Sequence, residues 1–445
     1  MNRFESWVRY LTDPDHLKLR LFIEGNVIGV FTGLTIAMFR YLLELSEKNL
    51  PRWYHYLSQH PTYIPLWFVV LMLIGYIIHR LLKADGMISG SGIPQIKGIL
   101  LGRMDMHWAR VLVLKFTGAV MGIGAGLSLG REGPSVQLGA CLGQGLGRLT
   151  HRSYEENHYL LTAGAGAGLA AAFNAPLAGA IFCLEELRKD FSTYVLMGAI
   201  AATVTATTVT QFFFGMEPVF HMGEIPVAAT GSVYLLLILL GAFVGILGLG
   251  FNRMLVVSLD GYAKSSLKAW QKPLVPLTVA GVLGFFLPEL LGGGSPLVDA
   301  LVEHEYVLGF LLLLFAGKFF FTMLCFGSGV PGGIFLPMLV LGALGGALFA
   351  KLAVACGVLA PQWTVNCVVF GMAAYFSAVV KSPVTGAILI MEMTGSFDHM
   401  LSLMLVSMTA FLVAEWAGAE PVYDMLLNRS LQTMDKARAY IKGSR

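Results

Sequence analysis

The sequence predicts an all-α polytopic membrane protein, made of two inverted-topology repeats with many tilted and partial helices. Three observations predict it. The composition is too apolar for a water-facing surface, the apolar runs reach bilayer length yet break at glycine and proline, and a series of motifs recurs in the second half of the chain.

Of 445 residues, 56% are hydrophobic and 13% charged, with a mean hydropathy of +0.71. Soluble domains carry about a quarter charged residues, so lipid must cover much of this surface. The runs 160–184, 233–251 and 307–326, the last interrupted by Lys318, approach or exceed the roughly 20 residues that cross a bilayer. Runs 63–78 and 400–414 are shorter, and others are shorter still. Broken helices are tolerated at membrane depth only where they are buried in protein or line a cavity. The net charge of +3, with no basic block, argues against a nucleic-acid partner. Residues 1–20 mix Glu5, Asp13 and Asp15 with Trp7 and Tyr10 and lack the features of a signal peptide, so an interfacial amphipathic helix is expected there. Cys141, Cys183, Cys325, Cys356 and Cys367 show no metal-ligand spacing and read as small core residues. No cofactor is expected.

The repeat is the second line of argument. Gly29, Gly33 and Phe39 recur as Gly241, Gly245 and Phe251. Lys115-Phe116, followed by Gly124 and Gly126, recurs as Lys318-Phe319, followed by Gly327 and Gly329. Pro176, Gly179-Ala180-Ile181 and Glu185 recur as Pro383, Gly386-Ala387-Ile388 and Glu392. Order is kept and the offset is nearly constant. General likeness among glycine-rich membrane helices does not account for paired lysines and glutamates.

Loop charge sets the orientation. Both ends are basic (Arg3, Arg9, Lys18 and Arg20; Arg429, Lys436, Arg438, Lys442 and Arg445), while 215–231 contains no Lys or Arg. By the positive-inside tendency both termini are cytoplasmic and the linker is external, so each half crosses an odd number of times and the halves are inverted. The expected division is an N-terminal interfacial helix (1–20), a first transmembrane repeat (21–214), an external linker (215–231), a second repeat (232–427) and a short cytoplasmic tail (428–445). Such inverted repeats place a substrate site near the midplane, where helix ends converge.

Three segments join glycine and proline to helix starts: Gly90-Ser91-Gly92-Ile93-Pro94, Gly130-Arg131-Glu132-Gly133-Pro134, and Gly327-Ser328-Gly329-Val330-Pro331-Gly332-Gly333-Ile334-Phe335. A fourth, Pro421-Val422-Tyr423, lies near the end. Glycine lets backbone approach a ligand, and proline suits the first helical turn. Helix N-termini offer unpaired N–H groups and partial positive charge, so several pointing inward make an anion site. Partial charges also suit transport, because the ion must leave again. Taken singly, a glycine-proline cluster reads as a turn or packing point.

Taken together, Gly90–Pro94, Gly130–Pro134, the run Gly332-Gly333-Ile334-Phe335-Leu336-Pro337 and Tyr423 resemble, in order and spacing, the signature of the CLC family of chloride channels and chloride/proton antiporters. The segment Phe173-Asn174-Ala175-Pro176-Leu177-Ala178-Gly179 belongs to the same resemblance, which covers nearly the whole chain. It implies about eighteen helices in two inverted halves, a homodimer with one pore per subunit, and a bacterial inner-membrane location; no appended CBS domain is expected after Tyr423. Chloride and protons are the implied substrates. The hydroxyls of Ser91 and Tyr423 and the backbone N–H groups of Ile334 and Phe335 are the implied chloride ligands. Glu132 is the implied external gating glutamate and proton acceptor, and Glu186 the internal proton-transfer glutamate that marks many antiporters. Gln95 and Lys97 depart from the acidic residues of well-studied bacterial antiporters, and Lys97 is expected close to Glu186.

Each role has a plainer counterpart. Ser91 is a candidate helix cap, Glu132 a partner for adjacent Arg131, and Tyr423 an interfacial anchor. Glu185 and Glu186 also fit an ordinary helix terminus, with Glu185, repeated as Glu392, the structural member of the pair. The rival functions are a passive chloride channel on the same fold, a nitrate or fluoride carrier, and an intramembrane hydrolase using Ser89 or Ser91. The hydrolase needs a base or a metal within the membrane, yet the ten histidines fall outside or at the ends of apolar runs. Chloride/proton antiport is the expected activity.

Overall fold

Glycine and proline cut the apolar sequence into helices of unequal length. The structure, a computed structural model, describes residues 17–223, 225–226 and 231–443. The interfacial helix expected over residues 1–20 therefore lies outside the described residues up to 16, and 17–20 already belong to the first long helix.

Seventeen α-helices appear among the described residues. In the first half they are α1 (Leu17–Gln59), α2 (Ile64–Ala84), α3 (Ile93–Leu100), α4 (Trp108–Gly124), α5 (Glu132–Leu149), α6 (Tyr154–Phe173), α7 (Pro176–Phe182) and α8 (Thr193–Phe214). The second half continues with α9 (Gly231–Lys264), α10 (Leu274–Phe286), α11 (Ser295–Glu303), α12 (Leu308–Gly327), α13 (Phe335–Ala355), α14 (Thr364–Val380), α15 (Pro383–Thr394) and α16 (Met400–Trp416). Helix α17 (Val422–Gly443) follows. Eight of these segments, at α1, α2, α8, α9, α12, α13, α14 and α16, are long and apolar enough to cross a membrane. The remainder are the short or polar partial helices that the glycine-proline breaks foretell.

The halves correspond helix by helix, α1 with α9 through α8 with α16, and the recurring residues do the same work twice. Gly29 and Gly33 lie against α8, where an added Cβ would come within 2.7 Å of the Ala202 carbonyl and 2.8 Å of the Ala206 carbonyl. Gly241 and Gly245 repeat this against Val406 and Ala410 of α16. The Lys115 ammonium is buried and donates to the carbonyls of Ile88 (2.9 Å) and Gly90 (2.6 Å) in the loop that enters α3. Lys318 does the same to Leu290 (3.0 Å) and Gly292 (2.7 Å) ahead of α11.

The third recurring pair reveals the inversion. Glu185, just past α7, accepts the backbone N–H groups of Val384 (3.2 Å) and Thr385 (2.6 Å) at the start of α15. Glu392, near the end of α15, accepts those of Leu177 (3.1 Å) and Ala178 (2.8 Å) at the start of α7. Each carboxylate caps the other half's helix N-terminus, a favourable place for negative charge. The arrangement requires α7 and α15 to run antiparallel, as two halves inverted about an in-plane axis do. The sequence expectation that Glu185 is structural agrees with this capping.

The apolar run 160–184 is not one continuous span. Asn174 takes a left-handed conformation (φ 57°), and Pro176 disfavours helical geometry at Ala175, so α6 ends and α7 restarts. The second half breaks at the same place, through Lys381 (φ 64°), Ser382 and Pro383. All five cysteines are free thiols, four of them buried and Cys356 exposed.

Candidate functional site

The three glycine-proline segments are stitched together by backbone. Gly130 and Gly333 exchange N–H···O bonds of 2.6 and 2.8 Å, and Gly332 donates to the Gly90 carbonyl at 3.0 Å. Gly90 (φ 62°) and Gly92 (φ 93°) both occupy the left-handed region that favours glycine, which turns the chain sharply into α3 with Pro94 in its first turn. Lys115 holds carbonyls of that loop. At Gly133 a Cβ would lie 2.8 Å from the Ser91 Cβ, so the start of α5 passes Ser91 with room for hydrogen alone. The N-terminal ends of α3, α5 and α13 are thereby brought to one place.

All six sequence-predicted site residues are buried: Ser91, Glu132, Glu186, Ile334, Phe335 and Tyr423. The Ser91 hydroxyl accepts a long bond from the Ile93 N–H (3.4 Å), a weak cap that leaves its own proton free to donate. Ile334 and Phe335 open α13, and residues at a helix start have no preceding carbonyl to receive their N–H groups. The next N–H, of Leu336, donates to the Glu132 carboxylate at 3.3 Å, so that carboxylate sits on the N-terminus of α13. The other carboxylate oxygen takes no hydrogen bond among the described residues. Arg131, the plain alternative partner for Glu132, is turned instead to Glu44 at 3.3 Å. Tyr423 is 0% exposed, which rules out the interfacial-anchor reading; its hydroxyl finds no partner among the described residues. It lies within electrostatic reach of both Glu132 and Glu186. Phe335 packs its ring against Phe376 (4.7 Å between centroids) and Phe173 (5.4 Å), which fixes the first turn of α13.

Glu186 lies on a π-helical turn (Cys183–Arg188) that follows α7. Its carboxylate takes the Lys97 ammonium at 2.7 Å and the Ser382 hydroxyl at 2.8 Å. The expected closeness of Lys97 is thus observed, while Gln95 donates to the Ser89 carbonyl at 2.9 Å. Sequence reasoning passed over two residues here. Ser382 occupies the repeat position of Ala175, and a hydroxyl breaking the symmetry just before Pro383 was a readable signal. Asp424, which also pairs with Lys97, follows Tyr423 directly and offered no such cue.

Two cavities approach this cluster. One of about 510 Å³ is lined by Ser89, Ser91, Pro94, Gln95, Phe326 and Arg429, on the side of α17. The other, about 330 Å³, is lined by Arg40, Glu44, Arg131, Asn174, Glu217 and Ser295, on the side of the linker between halves. No group of three or more His, Cys, Asp or Glu residues is placed to hold a metal ion among the described residues. The hydrogen bonds of Ser89 and Ser91 run to backbone groups.

Comparison with known proteins points one way. A family model described as voltage gated chloride channel matches residues 70–415. The chain is 37% identical over 424 residues to the H(+)/Cl(-) exchange transporter ClcA of Vibrio cholerae, covering 91% of this chain and 88% of that one. It is 34% identical over 446 residues to ClcA of Citrobacter koseri, covering 97% and 93%. Among solved structures, a slow cyanobacterial Cl-/H+ antiporter superposes with a TM-score of 0.88 at 31% identity, covering 94% of this chain and 99% of that one. A CLC-type fluoride/proton antiporter shares the fold at a TM-score of 0.76 and 24% identity, over 91% and 97%.

Proposed function

Because the chain belongs to the voltage gated chloride channel family, we propose that it is a secondary active antiporter exchanging chloride for protons across the membrane it spans. The observation that carries the reading is a pair of buried carboxylates, Glu132 and Glu186, with Tyr423 in reach of both. Ionisable groups at membrane depth are expensive and mark ion or proton paths. An anion pore alone has no use for two of them.

In this mechanism chloride is held between the hydroxyls of Ser91 and Tyr423 and the N–H groups of Ile334 and Phe335. All are partial charges, strong enough to replace water and weak enough to release the ion. Glu132 competes with chloride. Ionised, its carboxylate caps α13 in the manner of the anion; protonated, it gives up that hold and yields the helix end to chloride. Glu186 exchanges protons with the cytoplasm, so the two ions share the outer path and part toward the inside. The basic residues at both ends of the chain support cytoplasmic termini, which makes the linker-side cavity external, in a bacterial inner membrane. A homodimer with one pore per subunit is part of the proposal.

The test is reconstitution into liposomes with a chloride gradient imposed. Protons should move uphill as chloride runs down. Chloride flux without proton movement would establish the passive channel instead.

A further inference from the structure

Beyond the ligands and the two glutamates, four charged side chains at the inner end of the site form a ladder of alternating sign. Glu186 pairs with Lys97 on α3, Lys97 pairs also with Asp424 in the first turn of α17, and Asp424 pairs with Lys189. Burial falls along the ladder, with side-chain exposures of 1% at Glu186, 6% at Lys97, 27% at Asp424 and 51% at Lys189. The buried Lys97 ammonium is thus shared between two carboxylates, of which the deeper belongs to the proposed proton route.

We propose that Asp424 is a positioning residue for proton transfer, which sets how readily Glu186 takes a proton by holding Lys97 in both protonation states. The inference rests on the proposed role of Glu186. Its physical basis is the cost of an unpaired buried charge. With Lys97 paired to Glu186 alone, protonating Glu186 would strand a buried ammonium. Asp424 prevents this, because Lys97 keeps a carboxylate when Glu186 becomes neutral. Asp424 must itself stay ionised to do so. Burial works against its charge, but hydrogen bonds and charge from Lys189 and Lys97 outweigh it and hold its pKa below the usual carboxylate value. Its place at the N-terminus of α17 favours the same state.

The other groups around Glu186 have fixed commitments. Ser382, at the α14–α15 junction, donates to its second oxygen. Glu185 is taken up by the N-terminus of α15, Lys381 pairs with Glu415, and Arg188 lies over the Tyr159 ring with one guanidinium nitrogen left without a hydrogen bond among the described residues. Tyr423 of α17 is a neutral hydroxyl within electrostatic range. Lys97 and Asp424 are therefore the adjustable pair.

The sign follows directly. Asp424→Asn removes a negative charge and leaves Lys97 wholly to Glu186, so Glu186 binds its proton less tightly and needs a lower pH. Lys189→Gln removes a positive charge and leaves Asp424 wholly to Lys97, which acts in the opposite direction. The experiment measures uphill proton pumping by the full-length chain in liposomes against the pH of the compartment facing α17. Asp424→Asn should move the midpoint about one pH unit to the acid side, Lys189→Gln a smaller distance to the alkaline side, and Asp424→Glu should keep the wild-type profile. Retained chloride flux shows that each variant is folded. Should Asp424→Asn fail to fold, the direction of the Lys189→Gln shift decides. A superimposable or alkaline-shifted Asp424→Asn profile, with wild-type pumping intact, overturns this inference alone. Absence of pumping in the wild type overturns the antiport reading and takes this one with it.

Discussion

Replacing Glu132 by Gln keeps the shape of the side chain and removes its charge. In the structure the carboxylate accepts one hydrogen bond, from the Leu336 N–H at 3.3 Å, at the N-terminus of α13. A hydrogen bond to a charged acceptor is worth roughly 1.5–3 kcal/mol and a neutral one about 0.5–1.5 kcal/mol. Loss of the charge at a helix end removes about 0.3–1 kcal/mol more. The amide should therefore hold α13 more weakly by about 1.5–2.5 kcal/mol. Since each 1.4 kcal/mol is about tenfold in an equilibrium constant, chloride should bind roughly one to two orders of magnitude more tightly in the variant. Chloride flux should persist while uphill proton pumping disappears, because an amide carries no proton across. Calorimetric titration with chloride reads the first effect and proteoliposome pH recording the second. Unchanged chloride affinity would refute the competition between carboxylate and anion, and persistent pumping would refute the assignment of Glu132 itself.

Ser91→Pro removes a hydroxyl donor from the proposed anion site, and the ratio of nitrate-driven to chloride-driven proton uptake should rise; a constant ratio would leave Ser91 as a helix cap. Glu186→Gln should stop proton transport while chloride still passes, and surviving coupling would transfer the internal role to another acid, Glu185 first. Glu185→Gln and Glu392→Gln each weaken the cap on the opposite half's helix and should cost about 1–2 kcal/mol of stability. That cost appears as earlier thermal unfolding in detergent, with pumping retained in the folded fraction; loss of coupling at unchanged stability would contradict their structural role.

How much was legible depends on how local the cause was. The partial helices at Pro94, Pro176 and Pro383 announce themselves, because proline acts on its own and the preceding residue's dihedrals. The break inside the apolar run 160–184 was equally present in Asn174-Ala175-Pro176, yet hydropathy averaged over a span conceals it. The repeat was legible because both copies of Gly29, Lys115 and Glu185 still make the same contact. Asp424 was not legible, since nothing in its neighbours along the chain says that α17 delivers it to a lysine more than 300 residues earlier.

By itself the sequence determined the solvent, the helical class, the twofold repetition and the backbone segments able to face an anion, all of which follow from composition and short-range geometry. The tertiary structure alone decided which groups share a charge. Arg131 turns to Glu44 rather than to its neighbour Glu132, the Glu132 carboxylate seats on a helix from the other half, and Lys97, expected beside Glu186, is shared with Asp424 as well. The physical reason is that Coulomb and hydrogen-bond energies depend on separation in space and on local desolvation. Neither quantity exists until distant helices have packed.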